Sequence, residues 1–367
     1  MTTSLIPARG RGLRERAWRA AELLTGALMP ADTLDVLHPL RPGADQLAGR
    51  VEQVHLETPD AATVTIKPGA DWAGHVPGQY LRLGVDIDGV RNWRTYSLTS
   101  LTRAAGRTDG LLTITTKAIP GGRVSNHIVH ALRPGTLVHL GQAEGEFVLP
   151  SPRPAKVLFL TGGSGITPVM GMLRNHVAEL PDVVMVHSAP SARDVIFAEE
   201  LRELGSTGLI RLVELHTDSD GMLDLAVDLD RLVPDWRERE VWACGPTGML
   251  DACEIHWDAA ALAERLHVER FRPHLVVTGE GGTVTFVKTG TVVESDGSRP
   301  ILDVAEEAGM IMPHGCRMGI CFQCVLPLRE GAVRDLRTGD LTYAAPGDGV
   351  AIQTCVSAAA GACEIDH

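Results

Sequence analysis

His314-Gly-Cys316-Arg-Met-Gly-Ile-Cys321-Phe-Gln-Cys324 packs three of the chain's 7 cysteines into one glycine-bearing loop, spaced Cys-x4-Cys-x2-Cys. A fourth, Cys355, follows in Gln353-Thr354-Cys355 after thirty intervening residues. This is the spacing with which thiolates hold the two irons of a plant-type [2Fe-2S] cluster, the tight loop letting backbone amides reach the sulfurs. A structural zinc site is the alternative, but zinc modules usually pair two short Cys-x2-Cys knuckles. The first 243 residues contain no cysteine, so the thiols form a site and not a stapled fold. In a reducing compartment such a cluster of thiols reads as metal ligation. Cys363 lies outside the motif and is expected to be a packed or surface thiol.

The loop and its closing Gln353-Thr-Cys355 resemble the plant-type ferredoxin family, which implies a β-grasp fold, one-electron transfer, and Cys316, Cys321, Cys324 and Cys355 as cluster ligands. From residue 275 to the end, twelve carboxylates face six Lys or Arg, a net charge of -6. An acidic electron carrier is steered toward an acceptor that is basic at its docking face.

Outward from that loop, the 367-residue chain is 44% hydrophobic and 22% charged, which excludes disorder and accommodates two or three domains. A formal net charge of -12 argues against nucleic-acid binding. No run approaches the roughly 18 to 20 apolar residues of a spanning helix. Residues 13–29 carry apolar positions at helical spacing and predict one amphipathic helix. Its Arg14, Arg16 and Arg19 leave a weak membrane contact open beside docking on the neighbouring domain. The N-terminal stretch lacks the pattern of a secretory signal, so a cytoplasmic location is expected.

Residues 50–148 read as short alternating strands (51–56, 62–66, 80–85, 111–116, 137–140) punctuated by Gly and Pro, as in an antiparallel barrel. From 155 onward, apolar runs at 157–160, 183–186, 209–213 and 240–243 alternate with helical stretches, the signature of a parallel sheet with crossover helices. Strands at 283–288 and 290–294 and a helix at 301–308 precede the cysteine loop. The expected organisation is multidomain α/β plus β. It comprises an N-terminal extension (1–45), a flavin-binding antiparallel β-barrel (46–152), a Rossmann-like parallel sheet for a nicotinamide (153–274) and a C-terminal β-grasp ferredoxin (275–367).

The barrel holds Arg94-Thr-Tyr-Ser97 at a strand end and Gly121-Gly-Arg-Val-Ser-Asn126 further on. A flavin needs a cation for phosphate, an aromatic face for its ring, a hydroxyl near its N5 and a glycine turn whose amides hold phosphate. Arg94, Tyr96, Ser97 and the turn Gly121, Gly122, Arg123, Val124, Ser125 supply these parts, with Thr95 and Lys117 in the same set. The order and spacing resemble the flavin domain of the ferredoxin-NADP reductase superfamily. Gly145-Glu-Phe147 is similar to that family's barrel-closing stretch, and the glycine turn resembles the FAD branch more than the FMN branch.

Thr161-Gly-Gly-Ser-Gly-Ile-Thr-Pro168 directly follows an apolar strand and opens a helix expected near Val169, with glycines that let a pyrophosphate approach the helix start. Gly163, Gly165, Thr167 and Pro168 are its candidate contacts. Its terminal proline departs from the ordinary dinucleotide fingerprint and matches the reductase superfamily. Cys244-Gly245-Pro246-Thr-Gly-Met249 resembles that family's site beside the nicotinamide, which implies hydride transfer rather than metal binding for Cys244. Glu269 and Phe271 resemble the segment that returns to the flavin. Ser188 and Arg193 are available for a 2'-phosphate, while Asp218 would repel one. NADPH is expected, with NADH open.

The resemblance implies an electron chain from NAD(P)H through FAD to a [2Fe-2S] cluster, near about -400 mV, and on to an oxygen-activating partner. Its extension, connector 37–41 and tail after Cys355 resemble actinobacterial reductases serving membrane fatty-acid desaturases or alkane hydroxylases. The alternative is the reductase of a soluble Rieske-type or diiron oxygenase. An iron-sulfur redox sensor is the reading from another class, and it would not need the Cys244-Gly-Pro segment beside a flavin site.

Overall fold

A computed structural model of the protein describes residues 38–44, 46–102, 110–271, 277–315, 317–319 and 322–367. The helix expected over 13–29 and the motif cysteines Cys316 and Cys321 lie outside the described residues.

Six strands make the first sheet: β1 (Ala48–Thr58), β2 (Ala61–Pro68), β3 (Tyr80–Ile87), β4 (Val90–Ser97), β5 (Leu112–Lys117) and β6 (Leu137–Leu140). Their order is β4-β3-β6-β1-β2-β5, every pair antiparallel. The two ends of that order meet where Leu98, just past β4, bridges Ile114 on β5, and the Thr99 amide donates to the Thr113 carbonyl at 2.9 Å. Closing the sheet on itself removes its free edges. Alternating residues such as Leu81, Leu83, Ile66 and Ile114 fill the interior. After β5 comes the short helix α1 (Arg123–Asn126).

The second sheet is parallel, with strands β7 (Val157–Gly162), β8 (Val183–Ala189), β9 (Arg211–His216), β10 (Glu240–Cys244) and β11 (Leu266–Glu269) in the order β11-β10-β7-β8-β9. Alternate β7 residues serve two cores, Phe159 with helix α2 (Ile166–His176) on one face and Leu158 and Leu160 on the other. This double burial explains the continuous apolar runs in the sequence. The crossover elements also include α3 (Ala198–Ser206), α4 (Thr217–Asp220), α5 (Leu225–Leu232) and α6 (Thr247–Ala259).

The strand Val90–Ser97 was absent from the expected set, and among the boundaries that differ from the sequence reading two have a clear local cause. Helix α2 begins at Ile166, not near Val169, because Pro168 falls in the first turn, where its missing amide costs no hydrogen bond. The strand expected at 209–213 runs Arg211–His216: Gly208 turns the chain at φ +73°, and the Leu209 and Ile210 amides both donate to the Leu204 carbonyl, closing the preceding helix. Apolar character alone cannot tell a helix-capping pair from the start of a strand.

Helix α2 also ties this sheet to the barrel. Arg174 donates to the Thr99 carbonyl at 2.8 Å and Asn175 to the Ser100 carbonyl at 3.0 Å. A Cβ at Gly171 would collide with the Leu98 carbonyl, so the helix lies on the strand end as only glycine permits.

The C-terminal sheet holds β12 (Gly282–Phe286), β13 (Thr291–Ser295), β14 (Val325–Asp335), β15 (Leu341–Ala344), β16 (Val350–Gln353) and β17 (Ser357–Ile365), ordered β13-β12-β17-β14-β15 with β16 on β14. Helix α7 (Ile301–Glu307) packs Ile301, Leu302 and Ala305 against its core, into which Cys324, Cys355 and Cys363 project. Cys363 is thus a packed thiol. Its burial pushes its pKa up to about 11.

Candidate functional site

Backbone glycines open two turns toward free space. At Gly121 (φ +69°), before α1, and at Gly163 (φ +52°), before α2, a Cβ would meet no heavy atom within 4 Å. Both turns thus have room for a phosphate to approach main-chain amides. At the first, Ser125 Oγ and Asn126 Nδ2 hold the turn shut, the latter donating to the Gly122 carbonyl at 2.7 Å. Arg123 pairs with Asp88 at 2.9 Å, and Lys117 with Asp60 at 3.2 Å. The half-buried Tyr96 has its hydroxyl pushed up to about 12, chiefly by desolvation and against a hydrogen bond with Thr116. Ser97, paired with Tyr80 across the sheet, is buried, and Val124 fills the barrel below the turn.

In the parallel sheet, Gly165 lies against the Cys244-Gly245-Pro246 turn so closely that a Cβ would collide with the Cys244 carbonyl. Gly162 has the same relation to Pro246. Thr167 donates to the Ser164 carbonyl at 3.0 Å, and Pro168 is buried behind it. Cys244 ends β10 beside Glu269 on β11, the two being register partners. Desolvation first, then the Glu269 charge, holds the Cys244 thiol protonated. Desolvation alone raises Glu269 to about 7. Ser188 is the penultimate residue of β8, half-buried, while the Arg193 side chain is 84% exposed with Asp194 at 4.0 Å. Asp218 donates its amide to the Pro190 carbonyl at 3.0 Å. Phe271 stands 38% exposed just past β11.

In the C-terminal sheet, the Cys324 and Cys355 sulfurs lie 3.1 Å apart, both buried and not disulfide-bonded. Thr354 donates its amide and hydroxyl to the Cys324 carbonyl at 3.2 and 2.9 Å, fastening the two ligand segments to each other. Two soft thiols at that separation suit iron or zinc coordination. The cluster loop meets the barrel. Arg94 Nη1 donates to the Gly315 carbonyl at 3.2 Å, and Thr95 Oγ1 to Met318 Sδ at 3.4 Å. The flavin motif and the cysteine motif, 221 residues apart in sequence, therefore touch.

Three further residues escaped the sequence reading. Met318 was given no role within the loop motif. Arg337, thirteen residues past Cys324, has no motif around it. His187 sits inside an apolar strand run, fully buried, with Nδ1 bonded to Thr161 Oγ1 at 2.8 Å and no partner for Nε2 among the described residues. Desolvation lowers it to about 4, so it is neutral.

Three family models match the chain in sequence: an oxidoreductase FAD-binding domain over residues 50–149, an oxidoreductase NAD-binding domain over 159–254, and a 2Fe-2S iron-sulfur cluster binding domain over 285–360. With the folds above, they define a flavin- and nicotinamide-dependent oxidoreductase that carries its own iron-sulfur module. An "NADPH oxidoreductase" of Mycobacterium tuberculosis is 46% identical over 362 residues, covering 96% of this chain and 93% of that one. The chain belongs to the ferredoxin-NADP reductase superfamily, in the group with a fused C-terminal plant-type ferredoxin domain. A "Glycine betaine monooxygenase reductase subunit" of Pseudomonas aeruginosa is 31% identical, covering 79% of this chain and 87% of that one. The solved structure of phthalate dioxygenase reductase shares the fold, with TM-score 0.58 at 23% identity over 88% of this chain and 98% of that one. FAD, a [2Fe-2S] cluster and NAD(P)H are the cofactors and donor of this enzyme. No described helix is long and apolar enough to cross a membrane.

Proposed function

We propose that the protein is the reductase of an oxygen-activating system, releasing single electrons at its cluster to a separate protein. Bound FAD supplies the conversion of a two-electron donor into single electrons. In this reading Arg94, Thr95, Lys117 and the turn Gly121, Gly122, Arg123, Val124 and Ser125 hold the FAD phosphates. Tyr96 lines the ring, and Ser97 hydrogen-bonds near its reactive edge. Gly163, Gly165, Thr167 and Pro168 seat the pyrophosphate of the coenzyme. Cys244, Gly245 and Pro246 shape the nicotinamide pocket, with Glu269 controlling the proton beside it and Phe271 covering the ring. Ser188 and Arg193 take a 2'-phosphate, which makes NADPH the donor; the relative named for NADPH supports that choice. Cys316, Cys321, Cys324 and Cys355 hold the cluster.

The observation that carries the reading is the contact of the cluster loop with the flavin strand, Gly315 and Met318 against Arg94 and Thr95. It offers electrons a short route from one module to the next. For the acceptor we propose a membrane fatty-acid desaturase or alkane hydroxylase with a basic docking face, reached from the cytoplasm. The acidic C-terminal module supports the charge preference. A second reading, the reductase of a soluble oxygenase, is favoured by the monooxygenase reductase name of the 31% identical relative.

The test is anaerobic titration of the purified protein with NADPH and then NADH, followed by absorbance and low-temperature EPR, with iron and zinc assayed on the same sample. Flavin bleaching followed by the signal of a reduced [2Fe-2S] cluster is expected, at lower NADPH than NADH. Zinc without iron sinks the reading. Preference between a desaturase and a soluble oxygenase component in a reconstituted assay decides the acceptor.

A further inference from the structure

Gly319 lies in the cluster loop between Cys316 and Cys321, with φ +74°. Its carbonyl accepts hydrogen bonds from two side chains of other segments, Gln353 Nε2 at 2.8 Å and Arg337 Nη1 at 3.3 Å. These two are joined in turn, Arg337 Nη2 donating to Gln353 Oε1 at 3.2 Å. Asp335 fixes the guanidinium from behind, accepting from Nε at 3.2 Å and Nη2 at 2.7 Å, and takes the Arg337 amide at 2.8 Å as well. The fit is close, since a Cβ at Gly319 would collide with the guanidinium. Arg337 is held charged first by its hydrogen bond to Asp335, and further by the nearby Cys355 and Cys324. The side chain is 30% exposed, so its field is only partly screened by water.

We infer that Arg337, pinned by Asp335 and Gln353, is a positioning residue that closes the cluster loop and raises the reduction potential of the cluster it faces. When the cluster accepts one electron from the flavin, its four-thiolate unit gains one negative charge. A fixed cation bonded to Gly319, two residues before Cys321, and to Gln353, two residues before Cys355, favours that reduced form over the oxidised one. The clamp on Gly319 also fixes the backbone of the loop at that residue. Net charge, hydrogen bonding and exposure are the terms that set such potentials. Two other described cations reach the loop: Arg317, paired with Asp303 at 3.2 Å and with Glu306, and Arg94, which donates to the Gly315 carbonyl from the barrel. The inference rests on Cys324 and Cys355 being cluster ligands.

The experiment is an anaerobic potentiometric titration of the full-length protein, read by EPR for the cluster and by absorbance for the flavin, with iron counted in every variant. Arg337→Gln is expected to move the cluster midpoint to a more negative value and leave the flavin midpoint where it is. Arg337→Lys, which keeps the charge, recovers most of the shift. Asp335→Asn removes the offsetting carboxylate and moves the midpoint upward. A fully loaded Arg337→Gln protein with the wild-type midpoint overturns the inference, as does a shift of both variants in one direction. Should Arg337→Gln lose iron, Asp335→Asn decides: an upward shift supports the inference, and no shift or a downward one overturns it. Wild-type protein without iron would instead overturn the ligand assignment.

Discussion

Cys244 and the pair Cys324 and Cys355 are almost equally hidden, at 0%, 1% and 4% exposure, yet their surroundings prepare them for opposite chemistry. Cys244 ends a parallel strand beside Glu269, where desolvation and a neighbouring carboxylate hold the thiol protonated. The other two stand sulfur to sulfur at 3.1 Å, with Arg337 close enough to feel both. A lone thiol next to an acid suits a packing and orienting role. Paired thiols next to a cation suit thiolates on a metal. Burial places a cysteine, and its neighbours decide what it does.

The comparison breaks most readily at the cluster. On the proposed ligand set Cys355→Ser removes a ligand, and since outer-shell partners alone are worth about 10- to 100-fold, cytochrome c reduction should fall by at least ~100-fold with loss of iron. Turnover with a direct flavin oxidant should survive. Cys321→Ser should behave alike. Cys244→Ser should instead lower both activities together and keep iron; equal effects from the two substitutions would end the distinction.

The next largest effect is expected at Gly165→Ala. The added methyl meets the Cys244 carbonyl, so loop and cysteine turn must separate. A misplacement of about 1 Å can cost on the order of 10²-fold, and kcat/KM for NADPH measures it, while EPR of dithionite-reduced cluster should be unchanged. A normal kcat/KM would show that the two turns do not act as a unit.

Two desolvated titrating groups give the nicotinamide module opposite pH limits. Glu269 is raised from 4.5 to about 7, so its contribution to stability is complete below pH 4.5 and is lost as pH rises through about 7. His187 is lowered from 6.5 to about 4, so its contribution is complete above pH 6.5 and is lost as pH falls through about 4. Thermal melts across this range should flatten on the alkaline side in Glu269→Gln and on the acid side in His187→Asn. Unchanged slopes would mean that neither group is desolvated. The smallest effect is at the flavin turn. Arg123→Ala breaks an exposed pair with Asp88 and should cost at most about 0.5 kcal/mol of stability, seen by chemical denaturation. A fall in FAD affinity in the same variant would place Arg123 on the phosphate.

Much of the molecule was legible because its signals are local. Strand alternation in the barrel, doubly buried runs around Val157 and Val183, glycine turns before helices and Cys-x4-Cys-x2-Cys each depend on neighbours within a few residues. The strands after the cysteine loop, β14 to β17, were not separated in the sequence, because Val325–Asp335 mixes half-buried and exposed positions along a bulged pairing with β17. His187 was invisible, since one polar residue in an apolar strand carries no sign that its ring will meet Thr161 from the next strand.

The sequence by itself determined three modules, their order and the cofactors they bind, because each is written in a short motif whose chemistry needs those residue types at that spacing. Only the tertiary structure decided that Arg94 and Thr95 meet Gly315 and Met318, that Gly165 and Gly171 each sit under a foreign carbonyl, and that Arg337 reaches back to Gly319. These are contacts between distant segments. They follow from how sheets close and helices dock, which no local pattern encodes.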